Sequence, residues 1–164
     1  MTFTIDIQND SNYLINAARL QSASQQVLNQ HGVDPDTTLS IVFVDNDYIQ
    51  NVNRQFRGFD TPTDVLSFPA DEPPVEIDGE PPYLGDLIIA YPYASGQAAR
   101  EGHILDDSLA LLVVHGTLHL LGYDHDTPEN RAEMWAAQDA ALTALGISTA
   151  IVPALEGGND DQSH

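Results

Sequence analysis

Three histidines fall within the eleven residues His115-Gly116-Thr117-Leu118-His119-Leu120-Leu121-Gly122-Tyr123-Asp124-His125, a spacing that points to a metal ion. On a helix, residues i and i+4 share a face one turn apart, so His115 and His119 can direct two imidazoles at one cation. Gly122, at ease with positive φ, can end that helix and turn the chain so that His125 returns as a third ligand. Residues 109–121 are apolar on nearly every face, the pattern of a helix buried in a core. Imidazoles buried on one face need either hydrogen-bonding neighbours or a cation, and a third histidine just after a glycine favours the cation. His31, His103 and His164 stand alone and read as ordinary histidines satisfied by their surroundings.

Histidines at this spacing, with a glycine between the second and third, also occur in the metzincin proteases. Those enzymes carry a glutamate general base directly after the first histidine, where this chain has Gly116, so peptide hydrolysis by that route is disfavoured. Three neutral imidazoles still leave a fourth position for water, whose pKa falls towards about 7 on zinc. The site therefore reads as catalytic rather than structural.

The chain has 164 residues, enough for one domain with a real core. We expect a single unit over residues 1–153 and a disordered acidic tail over 154–164. The absence of cysteine rules out disulfides, thiolate clusters and a cysteine nucleophile, so any metal site is built from imidazole and oxygen. With no apolar run longer than residues 109–114 and no signal-like N-terminus, a cytoplasmic protein without membrane association is expected. The formal net charge is −20; lysine is absent, and Arg19, Arg54, Arg57, Arg100 and Arg131 face 25 acids. Such a surface offers no broad basic patch for nucleic acid. Part of the excess is local: Asp71, Glu72, Glu76, Asp78 and Glu80 fall in one expected proline-bracketed loop.

The elements that must position the histidines follow from periodicity and caps. Strands are expected over residues 3–7, 39–44, 64–68 and 84–90. A first helix, capped by Ser11, should turn Leu14, Ala17, Ala18, Val27 and Leu28 inward. A second, capped by Asp45 or Asn46, should bury Ile49, Val52 and Phe56 and leave Arg54 and Arg57 together on another face. A third covers 91–102, the histidine helix starts near Asp107, and the last opens at Thr127-Pro128-Glu129 with Met134, Trp135, Ala141, Leu142 and Leu145 inward. Asp86, an acid inside an apolar strand, needs a partner and reads equally as structural or as a support for a metal-bound histidine.

The chain resembles the YbeY family of bacterial endoribonucleases and ribosomal RNA maturation factors. The likeness rests on the histidine run, on Phe56-Arg57-Gly58-Phe59-Asp60-Thr61-Pro62-Thr63-Asp64-Val65-Leu66-Ser67-Phe68-Pro69, and on Leu84-Gly85-Asp86-Leu87. It implies an α+β fold: a four-stranded mixed sheet packed against about five helices, with a zincin-like metal helix in the core. It implies one divalent metal ion, taken as zinc, on His115, His119 and His125, and it assigns the family's arginine to Arg57. It further implies single-strand endoribonuclease activity in processing the 3′ end of small-subunit ribosomal RNA and in ribosome quality control. Ribosomal RNA, small-subunit proteins and an assembly GTPase are then the expected partners, and DNA is not. On spacing alone Arg57 reads slightly better as a helix-surface ion-pair residue.

Only Arg54 and Arg57 are expected near the metal, so delivery to RNA by a docking partner is one way round the acidic surface. The general base stays open among Asp64, Asp86, Asp124 and Asp126. Two rival readings are a metal-dependent hydrolase of another substrate and a non-catalytic assembly factor whose metal holds the fold.

Overall fold

The computed structural model describes residues 3–70 and 82–151; the expected acidic loop and tail lie outside the described residues. Strands β1 (Thr4–Gln8), β2 (Thr38–Val44), β3 (Val65–Pro69) and β4 (Tyr83–Ala90) form one sheet in the order β1-β2-β4-β3. β1, β2 and β4 run parallel, and β3 lies antiparallel on the edge beside β4. Among the described residues five α-helices accompany the sheet: α1 (Ala17–Gln30), α2 (Asn46–Arg57), α3 (Tyr91–Glu101), α4 (Leu105–Leu120) and α5 (Pro128–Ala144). This is the expected α+β architecture. None of the helices is long and apolar enough to cross a membrane.

Alternation along the strands creates two apolar surfaces. Ile5, Leu39, Ile41, Phe43, Val65, Leu87 and Ile89 join the core built with α1, α4 and α5, whereas Leu66 and Ala90 meet Ile49 of α2 in a smaller cluster. Helix α4 lies inside the main core, which explains its almost uniformly apolar sequence. Its close approach to the sheet depends on Gly116. A Cβ there would lie 2.7 Å from Leu87 Cδ2 and 3.3 Å from Ser67 Oγ. The residue that removes a metzincin-type base thus also sits where an added methyl would press on the Leu87 side chain.

Two expectations about inward faces are corrected. Helix α1 begins not after Ser11 but after Asn16, whose Oδ1 accepts from Arg19 N–H at 3.1 Å. The preceding residues form a turn, with Asn12 at φ 56° and Asn9 Oδ1 accepting from Tyr13 N–H at 3.0 Å. These local side-chain bonds compete with helix, and Leu14 consequently stands 85% exposed and Ala17 and Ala18 outside the core. In α2, Asp45 caps the helix as expected, accepting from Tyr48 N–H at 2.7 Å, and Ile49 is buried. Phe56, however, is 68% exposed: the buried residues of α2 are Ile49 and Asn53, with Val52 partly buried on the small cluster.

Asp64 is buried just before β3, where its Oδ1 accepts from Val65 N–H at 2.7 Å and from the Thr63 hydroxyl at 3.4 Å. Burial outweighs these bonds and pushes its pKa up to about 6 from an ordinary 3.8. The folded state therefore holds a proton that the unfolded chain releases earlier. Stability from this group is present at acid pH and is lost as pH rises through about 6. Asn in its place keeps the accepting oxygen without the charge. The stability advantage of Asp64→Asn over the parent should grow by about 2 kcal/mol between about pH 4 and about pH 7, read from denaturant midpoints. A pH-independent difference would contradict the buried, raised carboxyl.

Candidate metal centre

His115 and His119 occupy successive turns of α4, with ring centroids 4.7 Å apart. The helix ends at Leu121, where Gly122 takes φ 102° and Tyr123 N–H returns to Leu118 O at 3.1 Å. That reversal brings the His125 ring to 5.6 Å from His115 and 5.2 Å from His119. One ligand nitrogen from each of the three lies within 4.8 Å of the others.

Hydrogen bonds at Nδ1 set which nitrogen each α4 histidine offers. His119 Nδ1 lies 2.9 Å from the Tyr123 carbonyl oxygen, which can only accept, so Nδ1 carries the proton and Nε2 the lone pair. His115 Nδ1 donates to Gln138 Oε1 at 2.9 Å, and Gln138 is itself fully buried on α5. Burial, followed by the neighbouring His119, holds His115 well below the ordinary imidazole range. His119 is lowered to about 4, by burial first, then by His125, with Arg57 a smaller contributor. Both are therefore neutral imidazoles near pH 7 with a lone pair on Nε2, the form in which histidine binds a metal. The donor set fits one divalent cation.

The surroundings differ from expectation in two ways. The hydrogen bonds that orient His115 and His119 come from Gln138 and a backbone carbonyl, not from a carboxylate. Asp86 accepts from the Tyr83 hydroxyl, which also reaches Ser40 Oγ at 3.1 Å, so its partner lies within the sheet. Asp124 and Asp126 flank His125, Asp124 accepting from its backbone N–H at 2.8 Å and Asp126 holding Asn130 Nδ2 at 2.8 Å. Second, Trp135 packs its edge against His115 and His125 with centroids 5.8 and 5.7 Å away, and Arg131 stacks over that indole at 5.2 Å. Sequence reasoning placed only Arg54 and Arg57 near the metal. Arg131 enters through Trp135, whereas Arg54 is exposed and bonds Asn51 Oδ1 at 3.2 Å.

Gln138 was missed. The available signal was a polar residue on the inward stripe of α5, one turn after Met134. Arg57 comes from the last turn of α2 and is half-buried, with its guanidinium 5.1 Å from the Phe59 centroid and 3.5 Å from Asn53 Oδ1. Its partial burial lowers its pKa from the ordinary value, and in such surroundings its charge is less screened than in water. His31 is satisfied as read, between Val27 O at 2.8 Å and the Tyr123 hydroxyl at 3.0 Å.

The chain matches the family described as endoribonuclease YbeY over residues 5–146. A relative from Lysinibacillus sphaericus, named endoribonuclease YbeY, is 38% identical and aligns 90% of this chain with 98% of its own length. Another of the same name, from Geobacillus thermodenitrificans, is 42% identical over 90% of this chain and 99% of its own. A solution structure from Thermotoga maritima superimposes with a TM-score of 0.57 at 26% identity, covering 88% of this chain and 89% of that one.

Proposed function

We propose, for a chain that belongs to the endoribonuclease YbeY family, a metal-dependent endoribonuclease that cuts single-stranded RNA during ribosomal RNA processing. The observation that carries the reading is the meeting of three imidazoles, one ligand nitrogen from each within 4.8 Å of the others, with the His115 and His119 rings held neutral and oriented by burial, Gln138 and the Tyr123 carbonyl. A divalent cation on His115, His119 and His125, in our reading zinc, supplies Lewis-acid polarisation of a phosphoryl oxygen.

The residues of the chain do the rest. Gln138 and the Tyr123 carbonyl hold the His115 and His119 rings in the tautomer that presents Nε2. Trp135 covers one side of the cluster and limits water. Arg57 holds a non-bridging phosphate oxygen through its planar fork and offsets the charge that develops there. Asp124, whose Oδ1 accepts from the His125 backbone N–H at 2.8 Å, helps to orient that ligand. Processing at the 3′ end of small-subunit ribosomal RNA and a part in ribosome quality control complete the proposal, with small-subunit proteins and an assembly GTPase as the partners that bring RNA to an acidic protein.

The test is cleavage of single-stranded RNA by the purified metal-loaded chain, with analysis of the new ends. A 5′ phosphate marks attack by water, and a cyclic 2′,3′ phosphate attack by the 2′-hydroxyl. Arg57→Ala should lower the single-turnover rate by about a hundredfold or more while the circular dichroism spectrum is unchanged. Arg57→Lys should recover little of it, since the fork is lost. A folded Arg57→Ala that cuts at the parental rate would remove Arg57 from the catalytic machinery, and a metal-loaded parent that does not cut would favour the scaffold reading.

A further inference from the structure

We propose that Phe56 and Phe59, set on either side of Arg57, form a stacking platform that seats unpaired RNA bases beside the three histidines. This rests on the RNA reading above and adds how the strand is held. Ring contact, rather than a basic footprint, then supplies most of the affinity.

Charge leaves room for little else. The chain has no lysine and a net charge of −20. The surface cleft beside the His125 loop is lined by Asp124 and Glu133 with Asn130, a poor seat for a phosphate backbone. On the Arg57 side the chemistry changes. Phe56 is 68% exposed at the end of α2 and meets Phe68 of the edge strand β3 edge-on, with centroids 5.5 Å apart. Phe59 is 37% exposed and carries the Arg57 guanidinium over its ring. The edge strand that carries Phe68 also meets the histidine helix, Ser67 Oγ donating to the Gly116 carbonyl beside His115 at 3.4 Å, so the two rings and the histidines share the β3 edge of the sheet. Aromatic rings and guanidinium planes are the surfaces on which single-stranded RNA is bound, because unpaired bases expose both faces.

The platform is built in advance. Gly58 ends α2 in the left-handed region at φ 79°. Gln50 Nε2 then donates to the Asp60 carbonyl at 3.2 Å, and Asn53 Nδ2 to the Thr61 carbonyl at 2.9 Å. These bonds pin the loop that presents Phe59, so little ordering is required when a strand arrives.

Binding of a fluorescein-labelled single-stranded RNA of about ten nucleotides to the full chain tests this. Phe56→Leu and Phe59→Leu keep an apolar cover yet remove the ring, and each should weaken binding roughly tenfold, whereas Phe56→Trp should retain it. An abasic strand with the same phosphates should bind at least about tenfold more weakly, and the salt slope for the parent should correspond to about one or two phosphate contacts. Equal binding of abasic and normal strands, or parental affinity in both leucine variants, would overturn the platform while cleavage still upheld the endoribonuclease. A parent that neither binds nor cuts RNA would overturn both.

Discussion

Replacing His115 by alanine is expected to remove tight metal binding and to lower RNA cleavage at least about a thousandfold, because a metal's charge stabilisation at a phosphoryl oxygen is worth several kcal/mol. The residue is 1% exposed and sits between two functions. One ring nitrogen is directed at the shared point, and the other donates to Gln138 on α5. Alanine therefore also strands the buried Gln138 oxygen, at a cost of about 1–3 kcal/mol, so some loss of thermal stability should accompany the loss of metal. His119→Ala separates the effects. It lies closer to the surface, and its Nδ1 bonds a backbone carbonyl rather than a buried side chain, so it should lose metal and cleavage with a smaller stability change. Calorimetric titration with zinc, cleavage and thermal melting read on both variants give the answer. An alanine variant at position 115 that bound zinc with parental affinity would remove His115 from the centre, and a parent that melted on chelation would favour a structural metal.

Gly85→Ala should be the most destabilising glycine-to-alanine change among the described residues. Gly85 has φ 145°, in a region that side chains rarely adopt, and an added Cβ would sit 2.3 Å from Phe68 O and 2.9 Å from both Pro69 Cα and Leu120 Cδ2. Two of these are backbone atoms of β3, bound to β4 through the Pro69 and Gly85 register, and cannot swing aside as a side-chain tip would. Backbone strain and overpacking each cost about 1–3 kcal/mol, giving roughly 3–5 kcal/mol together. At about 2–4 °C per kcal/mol for a chain of this size, the melting temperature should fall by about 6–20 °C. Leu120 ends the helix that carries His115 and His119, so relief of the clash would also displace the candidate centre. A melting temperature within about 3 °C of the parent would mean that β3 yields more readily than its pairing implies.

The Gly116 and Gly85 clashes show why some of this was legible in residue order and some was not. Helical periodicity is a local property: an i, i+4 pair of histidines shares a face in any α-helix, and a glycine after it permits reversal, so the meeting of His115, His119 and His125 could be anticipated. Apolar runs and caps such as Asp45 and Thr127 placed four strands and five helices for the same reason. The start of α1 escaped because Ser11 and Asn16 are both competent caps, and the choice depended on the turn bonds of Asn9. Phe56 was read as inward because its spacing from Ile49 and Val52 suits a buried stripe, yet how far a stripe extends depends on where the sheet ends. Gln138 under His115, Trp135 with Arg131 at its flank, and Phe59 under Arg57 join residues far apart in the chain or on a loop. Such contacts are created by packing of whole elements, and no periodicity encodes them. The donor set was therefore local information, whereas its supports, its coverage from water and the surface that meets a substrate arose from how α2, α4, α5 and β3 come together.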